Sequence, residues 1–293
     1  MRLVVLSRNG SLYSTSRILR AARARGHDVR LFDPLELQIA VEGRKTRVHH
    51  AGAAVSPCDA IIPRVGVSVT RHGMLVLRHL AAKRVVVLND AAALAAARDK
   101  IGALSTLAAA GIDVPKSVCL RSPRGLDAAI SHVGGPPVVV KLQAGTQGLG
   151  TILAESRNAA ISTVETLLAM GQEVVVQAFV REARGRDQRL FVVGRRVVAS
   201  MERRARRGEF RANLHRGGLG IPIDPPPEIR RVALRAARRL GLAVAGVDLL
   251  PTRNGPQVLE VNSSPGLEGI EQVTEVDIAA AIVRYAEGCV RRG

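Results

Sequence analysis

The segment AGVDLLPTRNGPQVLEVN, Ala245 to Asn262, holds two apolar runs on either side of Asn254-Gly255. Asn-Gly between such runs is turn chemistry, so the spacing predicts a hairpin with strands over 245–250 and 257–262. Successive strand side chains point to opposite faces, which puts Glu260 and Asn262 on one face. With the turn near Asn254, Asp248 falls roughly opposite Glu260. Three hard oxygen donors then converge while leaving coordination positions for water and phosphate, the habit of a magnesium–nucleotide site. Spacing alone equally describes a hairpin with polar residues on its wet face.

Upstream lies Lys141-Leu-Gln-Ala-Gly145-Thr-Gln-Gly148-Leu-Gly150, a strand that delivers a lysine into a glycine-rich loop. Such a loop lets backbone N–H groups approach phosphate oxygens, and the lysine adds a point charge. The lysine precedes the glycines and no G-K-[ST] occurs, so this is not a Walker A loop; a plain hairpin turn fits it too. Between these two segments, Arg203, Arg204, Arg206, Arg207, Arg211 and Arg216 crowd together with His215 and Asn213. Arginine forks bind carboxylates and phosphates in bidentate fashion. The alternative is a disordered or RNA-touching basic segment.

Around these motifs the first ninety residues alternate short β-rich runs (2–6, 29–32, 60–65, 84–88) with helical stretches, the first over 14–25. That alternation predicts a parallel sheet flanked by helices. No G-x-G-x-x-G follows the first strand, which weakens a dinucleotide reading. Residues 91–110 read as one long helix closed by Gly111. Strands over 117–120, 137–142 and 151–154 with a helix over 157–170 make a second lobe. Longer strands over 173–179, 188–193 and 196–203, a helix opened by Pro225–Pro227, the hairpin and a helix from Asp277 make a third.

Composition narrows the function classes. With 47% hydrophobic residues in 293, the chain can bury sizeable cores. Aromatics are 2% with no Trp, too few for base-stacking platforms. The formal net charge of +18 suits an anionic partner, whether nucleic acid, an acidic protein tail or a triphosphate, or else marks a solvated basic surface. Cys58, Cys119 and Cys289 show neither metal spacing nor a disulfide framework and read as packing residues in a reducing compartment. The N-terminal apolar run breaks at Ser7-Arg8, so no signal peptide or membrane span is expected, and the chain reads as cytoplasmic.

The order of basic Gly-rich loop, strand, arginine loop and D…E-x-N resembles the ATP-grasp superfamily. At finer resolution the chain resembles the RimK family of ribosomal-protein glutamate ligases over nearly its whole length. The resemblance rests on Ser7-Arg-Asn-Gly-Ser-Leu-Tyr-Ser14, Pro63-Arg-Val-Gly66, Ala97-Arg-Asp-Lys100, Lys141 with Gly145-Thr-Gln-Gly148, Asn213-Leu-His-Arg-Gly-Gly218 and Glu260-Val-Asn-Ser-Ser-Pro-Gly-Leu-Glu-Gly269. It implies an α/β and α+β architecture: a Rossmann-like pre-ATP-grasp lobe (1–96), then a central lobe (97–172) and a C-terminal lobe with the metal site (173–293) that clasp ATP.

By the same resemblance, Lys100 and Lys141 hold ATP phosphates beneath the loop carrying Gly145, Thr146, Gln147 and Gly148. Gln177, Ala178 and Phe179 form the inter-lobe hinge beside adenine, and Asp187 accepts from the ribose. Arg211, Ala212 and Asn213 reach the phosphates. Arg203, Arg211 and Asn213 act in catalysis. Asp248, Glu260 and Asn262 bind two Mg2+ or Mn2+ ions. The implied reaction is ATP-dependent addition of glutamate to the C-terminus of a small-subunit ribosomal protein, with ADP and phosphate released, near the ribosome and in an enzyme that is often oligomeric. The family hinge usually carries an acidic residue where this chain has Ala178, which touches the adenine contact. Relatives that make free oligoglutamate or modify a cofactor or carrier protein would share the ATP site. A non-catalytic RNA- or ribosome-binding protein would not need it.

Overall fold

Short β-branched runs and Ala/Arg-rich amphipathic stretches alternate through the first lobe, and each takes up the structure its period dictates. The computed structural model describes residues 1–66, 70–81, 85–143, 150–214 and 217–292. In chain order the first elements are β1 (Arg2–Leu6), α1 (Tyr13–Ala24), β2 (Asp28–Phe32), β3 (Leu37–Glu42), β4 (Lys45–His50), β5 (Ala53–Ala54), β6 (Ala60–Pro63), α2 (Thr70–Leu80) and β7 (Val86–Val87). Strands β2-β1-β6-β7 form a parallel sheet, as the alternation predicts. Leu3, Val4, Val5 and Leu6 are all fully buried, because a parallel sheet is covered on both faces. Leu3, Val5, Ala60 and Ile62 face α1, while Val4, Leu6 and Ile61 pack with Val76 and Leu77 of α2. The small antiparallel sheet β3-β4-β5 is an addition to the expected pattern. Its signal was the turn at Gly43, whose φ of 59° favours glycine, between two alternating runs.

The expected single helix over 91–110 is two: α3 (Ala91–Arg98) and α4 (Lys100–Ala109). Asp99 sits between them in extended conformation and accepts from Gly102 N–H at 2.9 Å. The N-cap bond outcompetes continuation of the Ala-rich helix. A Cβ at Gly102 would overlap the Asp99 carboxylate, so the glycine is what lets the cap close. Asp99→Ala should cost about 1 kcal/mol in stability, measured by urea unfolding.

The central lobe contains β8 (Ser117–Leu120), α5 (Leu126–His132), β9 (Val138–Leu142), β10 (Thr151–Ala154), α6 (Arg157–Ala169) and β11 (Val174–Ala178). Its antiparallel sheet runs β10-β9-β11-β8, with α5 and α6 packed on one face. The unexpected α5 is short and begins at Gly125, without a capping side chain. The last lobe has β12 (Arg186–Val193), β13 (Arg196–Arg204), β14 (Leu219–Pro222), α7 (Pro227–Arg239), β15 (Val244–Leu250), β16 (Gln257–Asn262), α8 (Glu268–Thr274) and α9 (Ile278–Val290). Its antiparallel sheet runs β14-β13-β12-β15-β16. Helix α7 buries Ala233, Ala236 and Ala237 on one face. Helices α8 and α9 cover part of the other face and continue into the core of the first lobe.

Ion pairs tie that seam. Glu271 takes Arg17 Nε at 3.0 Å and Tyr13 Oη at 3.1 Å. Glu287 takes Arg25 Nε at 2.6 Å and His27 Nε2 at 2.7 Å. The hydrogen bond from Arg25, with His27 adding to it, holds the Glu287 carboxyl down at about 2 against an ordinary 4.5. A depressed carboxylate stabilises the fold fully above its unfolded value and loses that contribution as pH falls through its folded one. The melting temperatures of wild type and Glu287→Gln should therefore differ by a constant amount above pH 5 and converge between about 4.5 and 2.

Candidate active site

Strand period and sheet register build one polar face. Asp187 and Arg189 lie two apart on β12; Asp187 faces Arg203 on β13, Arg189 faces Asp248 on β15, and Asp248 faces Glu260 on β16. Asn262, two beyond Glu260, donates Nδ2 to its Oε1 at 3.0 Å. The predicted convergence of Asp248, Glu260 and Asn262 is thus present. The structure adds what surrounds Asp248. Arg189 grips it with Nε on Oδ1 at 2.7 Å and Nη2 on Oδ2 at 2.6 Å. Arg203 reaches the same Oδ2 at 2.8 Å and places Nε on Asp187 Oδ1 at 2.6 Å.

These pairs are deeply buried: Asp248 is 1% exposed, Arg203 4% and Asp187 5%. Burial pushes the Asp248 carboxyl up, but Arg189 and Arg203 outweigh it and hold the group far below the usual range. For Asp187 burial outweighs the shared Arg203 and, with the nearby Asp248 carboxylate, raises the group to about 6. Burial opposes the charge of Arg203 as well, yet Asp248 and Asp187 overcome it and raise its pKa.

From the central lobe, β9 brings Lys141 to the same cleft and the start of α4 brings Lys100. Lys141 Nζ donates to Gln177 Oε1 at 2.7 Å, and Lys100 Nζ to the Gln143 carbonyl at 2.9 Å. Burial lowers the pKa of both lysines, and Glu260 pulls both back toward charge. Two cations from one lobe thus face a carboxylate from the other.

The cleft between the lobes encloses about 1050 Å³ including its open mouth. Lys100, Lys141, Gln177, Ala178, Phe179, Asp187, Arg203, Arg211, Ala212, Asn213, Asp248, Glu260 and Asn262 all line it. Gly145, Thr146, Gln147, Gly148 and His215 fall outside the described residues. Two placements add to the expected roles. Ala178 N–H is donated to the Lys116 carbonyl at 2.8 Å, so that hinge residue is left with only its carbonyl for a ligand. Arg211 pairs with Glu209 at 2.8 Å and donates Nη1 to the Thr151 carbonyl at 3.2 Å, so it links the lobes. The hydrogen bond from Arg211 holds Glu209 at about 2.

Sequence reasoning missed Arg189 and the apolar walls, among them Val139, Leu142, Val180, Phe210 and Leu250. Apolar walls beside a polar end suit a nucleoside base with its phosphates. Period two was the available signal: Val139 shares a face with Lys141, and Leu250 with Asp248. The donor types fit a hard divalent cation: the Asp248 and Glu260 carboxylates and the Asn262 amide line one cleft, and Glu260 accepts from no arginine among the described residues. Asp248 would share its oxygens between metal and arginines.

Comparison with known proteins bears on all three lobes. The family model described as RimK-like ATP-grasp domain matches residues 97–286, and that described as RimK PreATP-grasp domain matches residues 1–94. A protein of Xanthomonas oryzae pv. oryzae named "Probable alpha-L-glutamate ligase" is 49% identical over 292 residues, covering 100% of this chain and 99% of that protein. The crystal structure of a RimK domain protein ATP-grasp from Sphaerobacter thermophilus is 25% identical, with a TM-score of 0.74 over 98% of this chain and 100% of that one. The ATP-grasp ligase PsnB, solved with minimal precursor, Mg and ADP, is 21% identical with a TM-score of 0.76, covering 99% and 98%; this last likeness is one of fold.

Proposed function

The chain belongs to the RimK-like ATP-grasp family and is an ATP-grasp ligase, and from that premise we propose that it joins L-glutamate to the C-terminus of a peptide or protein. A small-subunit ribosomal protein is the proposed acceptor. The observation that carries the reading is the meeting, in one apolar-walled cleft, of Lys100 and Lys141 from one lobe with Asp248, Glu260 and Asn262 from the other. The name of the Xanthomonas relative supports glutamate as the added unit, and the charge of +18 suits an acceptor that grows more acidic with each addition.

A carboxylate does not acylate an amine in neutral water, because oxide is too poor a leaving group. Transfer of the ATP γ-phosphoryl group to the acceptor carboxylate gives an acyl phosphate and ADP. The glutamate amine then attacks the carbonyl carbon; phosphate leaves with the C–O electron pair and the amine loses a proton. Lys100 and Lys141 hold phosphate oxygens and offset the charge on the transferring group. Arg203 keeps Asp248 ionised and fixed, and Asp248, Glu260 and Asn262 are the residues that would hold two Mg2+ ions. Bound there, the ions supply further charge stabilisation for phosphoryl transfer. Val139, Val180 and Phe210 wall the base, and Arg211, bonded across the lobes, helps keep water from the acyl phosphate.

The test is ADP release with Mg-ATP and glutamate, with and without the ribosomal C-terminal peptide, followed by mass spectrometry. Stepwise glutamate-sized additions to the peptide are expected. Oligoglutamate without peptide modification would move the acceptor, and no turnover with any acceptor would overturn the reading.

A further inference from the structure

The parallel sheet of the first lobe reverses its build at β1, with β2 added on one side and β6 on the other. In such sheets ligands settle in the crevice outside the carboxyl ends of the strands that flank the reversal. Here those ends are Ser7 and Arg64, and Arg64 N–H still pairs with the Leu6 carbonyl at 2.7 Å. Alternation places Ser7 after Leu3 and Val5, and Arg64 after Ala60 and Ile62, on the face covered by α1. The bond between Ser7 Oγ and Thr15 Oγ1 at 2.9 Å agrees.

The loop after Asn262 closes the same crevice. Asn89 Nδ2, at the end of the neighbouring β7, donates to the Ser263 carbonyl at 2.7 Å, and Leu267 N–H donates to Ser14 Oγ at 2.9 Å. The carboxyl edge of the first sheet therefore abuts the segment that leaves the candidate metal-binding residues.

Arg64 makes no side-chain hydrogen bond or ion pair among the described residues. It is half-buried, and burial lowers its pKa to about 10, with no acidic group opposing; it stays charged at neutral pH. A half-buried guanidinium with no partner among the described residues keeps its fork open to a carboxylate ligand. Arg98 Nη2 donates to the adjoining Val65 carbonyl. Ser264 Oγ is buried in the closing loop with no partner among the described residues.

We propose that Arg64 is the carboxylate-binding cation of a second substrate subsite, which holds the incoming amino acid by a carboxylate that does not react and leaves its amine free to approach Glu260 and Asn262. The proposal rests on the ligase reading. The acceptor's carboxylate must meet the γ-phosphate and so belongs beside Lys100 and Lys141. The carboxylates of the amino acid are spectators and need a cation elsewhere. Arg64 is that cation.

The test compares wild type, Arg64→Met and Arg64→Lys by calorimetric titration of glutamate with Mg2+ and a non-hydrolysable ATP analogue, and by KM for each substrate. For Arg64→Met the glutamate Kd and KM should rise about tenfold to a hundredfold, while the KM values for ATP and acceptor stay within about twofold. The melting temperature should stay level, since Arg64 makes no side-chain hydrogen bond or ion pair among the described residues that the substitution would remove. Arg64→Lys should recover part of the affinity, keeping charge but losing the fork. An unchanged glutamate KM overturns the subsite, a rise confined to the acceptor KM overturns its assignment to the amino acid, and a fall in melting temperature with all KM values rising together overturns it in favour of a structural role. If wild type binds glutamate through Arg64 yet releases no ADP, the subsite stands and the ligase reading falls.

Discussion

Glu260→Ala is expected to reduce ADP release by roughly a thousandfold or more, because it removes the carboxylate that both lysines face and that Asn262 supports. Lys100 and Lys141 are desolvated, and Glu260 is the first group that favours their charged forms. Without it the cleft keeps its shape but loses the anionic centre around which a cation and a triphosphate would be arranged. The check is steady-state ADP release across a Mg2+ titration. Glu260→Gln should be nearly as inactive, since the amide keeps the volume and discards the charge. Activity of either variant within about tenfold of wild type would remove Glu260 from the reacting centre. The fold should tolerate both changes, as Glu260 bonds only with Asn262 among the described side chains.

The second large effect is on stability. Arg203→Met should destabilise the protein by about 3–5 kcal/mol, read as a lower urea midpoint. The substitution strips Asp187 of the arginine it shares and leaves Asp248 with Arg189 alone, both carboxylates being almost fully buried. Removing one member of a buried ion network is costly because the stranded charge stays desolvated. Combining Arg203→Met with Asp187→Asn should recover part of the loss, since one stranded charge goes with its partner. Equal midpoints for wild type and Arg203→Met would mean that the network contributes nothing beyond position.

How far the site was legible follows from the range over which each signal acts. Asp248, Glu260 and Asn262 were readable because one turn and a period of two relate them; the observed register pairs Asp248 with Glu260 through a bulge between Asp248 and Leu249 that shifts the pairing set next to the turn by one residue. Arg189 was not readable as their neighbour. It joins Asp248 from a strand 59 residues away, and no local periodicity carries that register. The helix over 91–110 failed for a related reason. Its composition favours continuity, but Asp99 is held as a cap by Gly102 and also receives Gln143 from the central lobe. Arg64 stood in the sequence only as part of the Pro63-Arg-Val-Gly66 stretch that carries the family resemblance, with no role attached; the order of the parallel sheet set it at the strand reversal.

The sequence by itself determined the lobes' alternating and antiparallel character, the family, and the polar residues that meet in the cleft, since these depend on side-chain period, turn chemistry and residue type. Only the tertiary structure decided which arginines hold Asp248, that Ala178 has already spent its N–H on Lys116, and that Arg64 has no side-chain partner among the described residues. Pairing across sheets depends on strand order and register, and desolvation on what packs above a residue. Both are properties of the assembled chain.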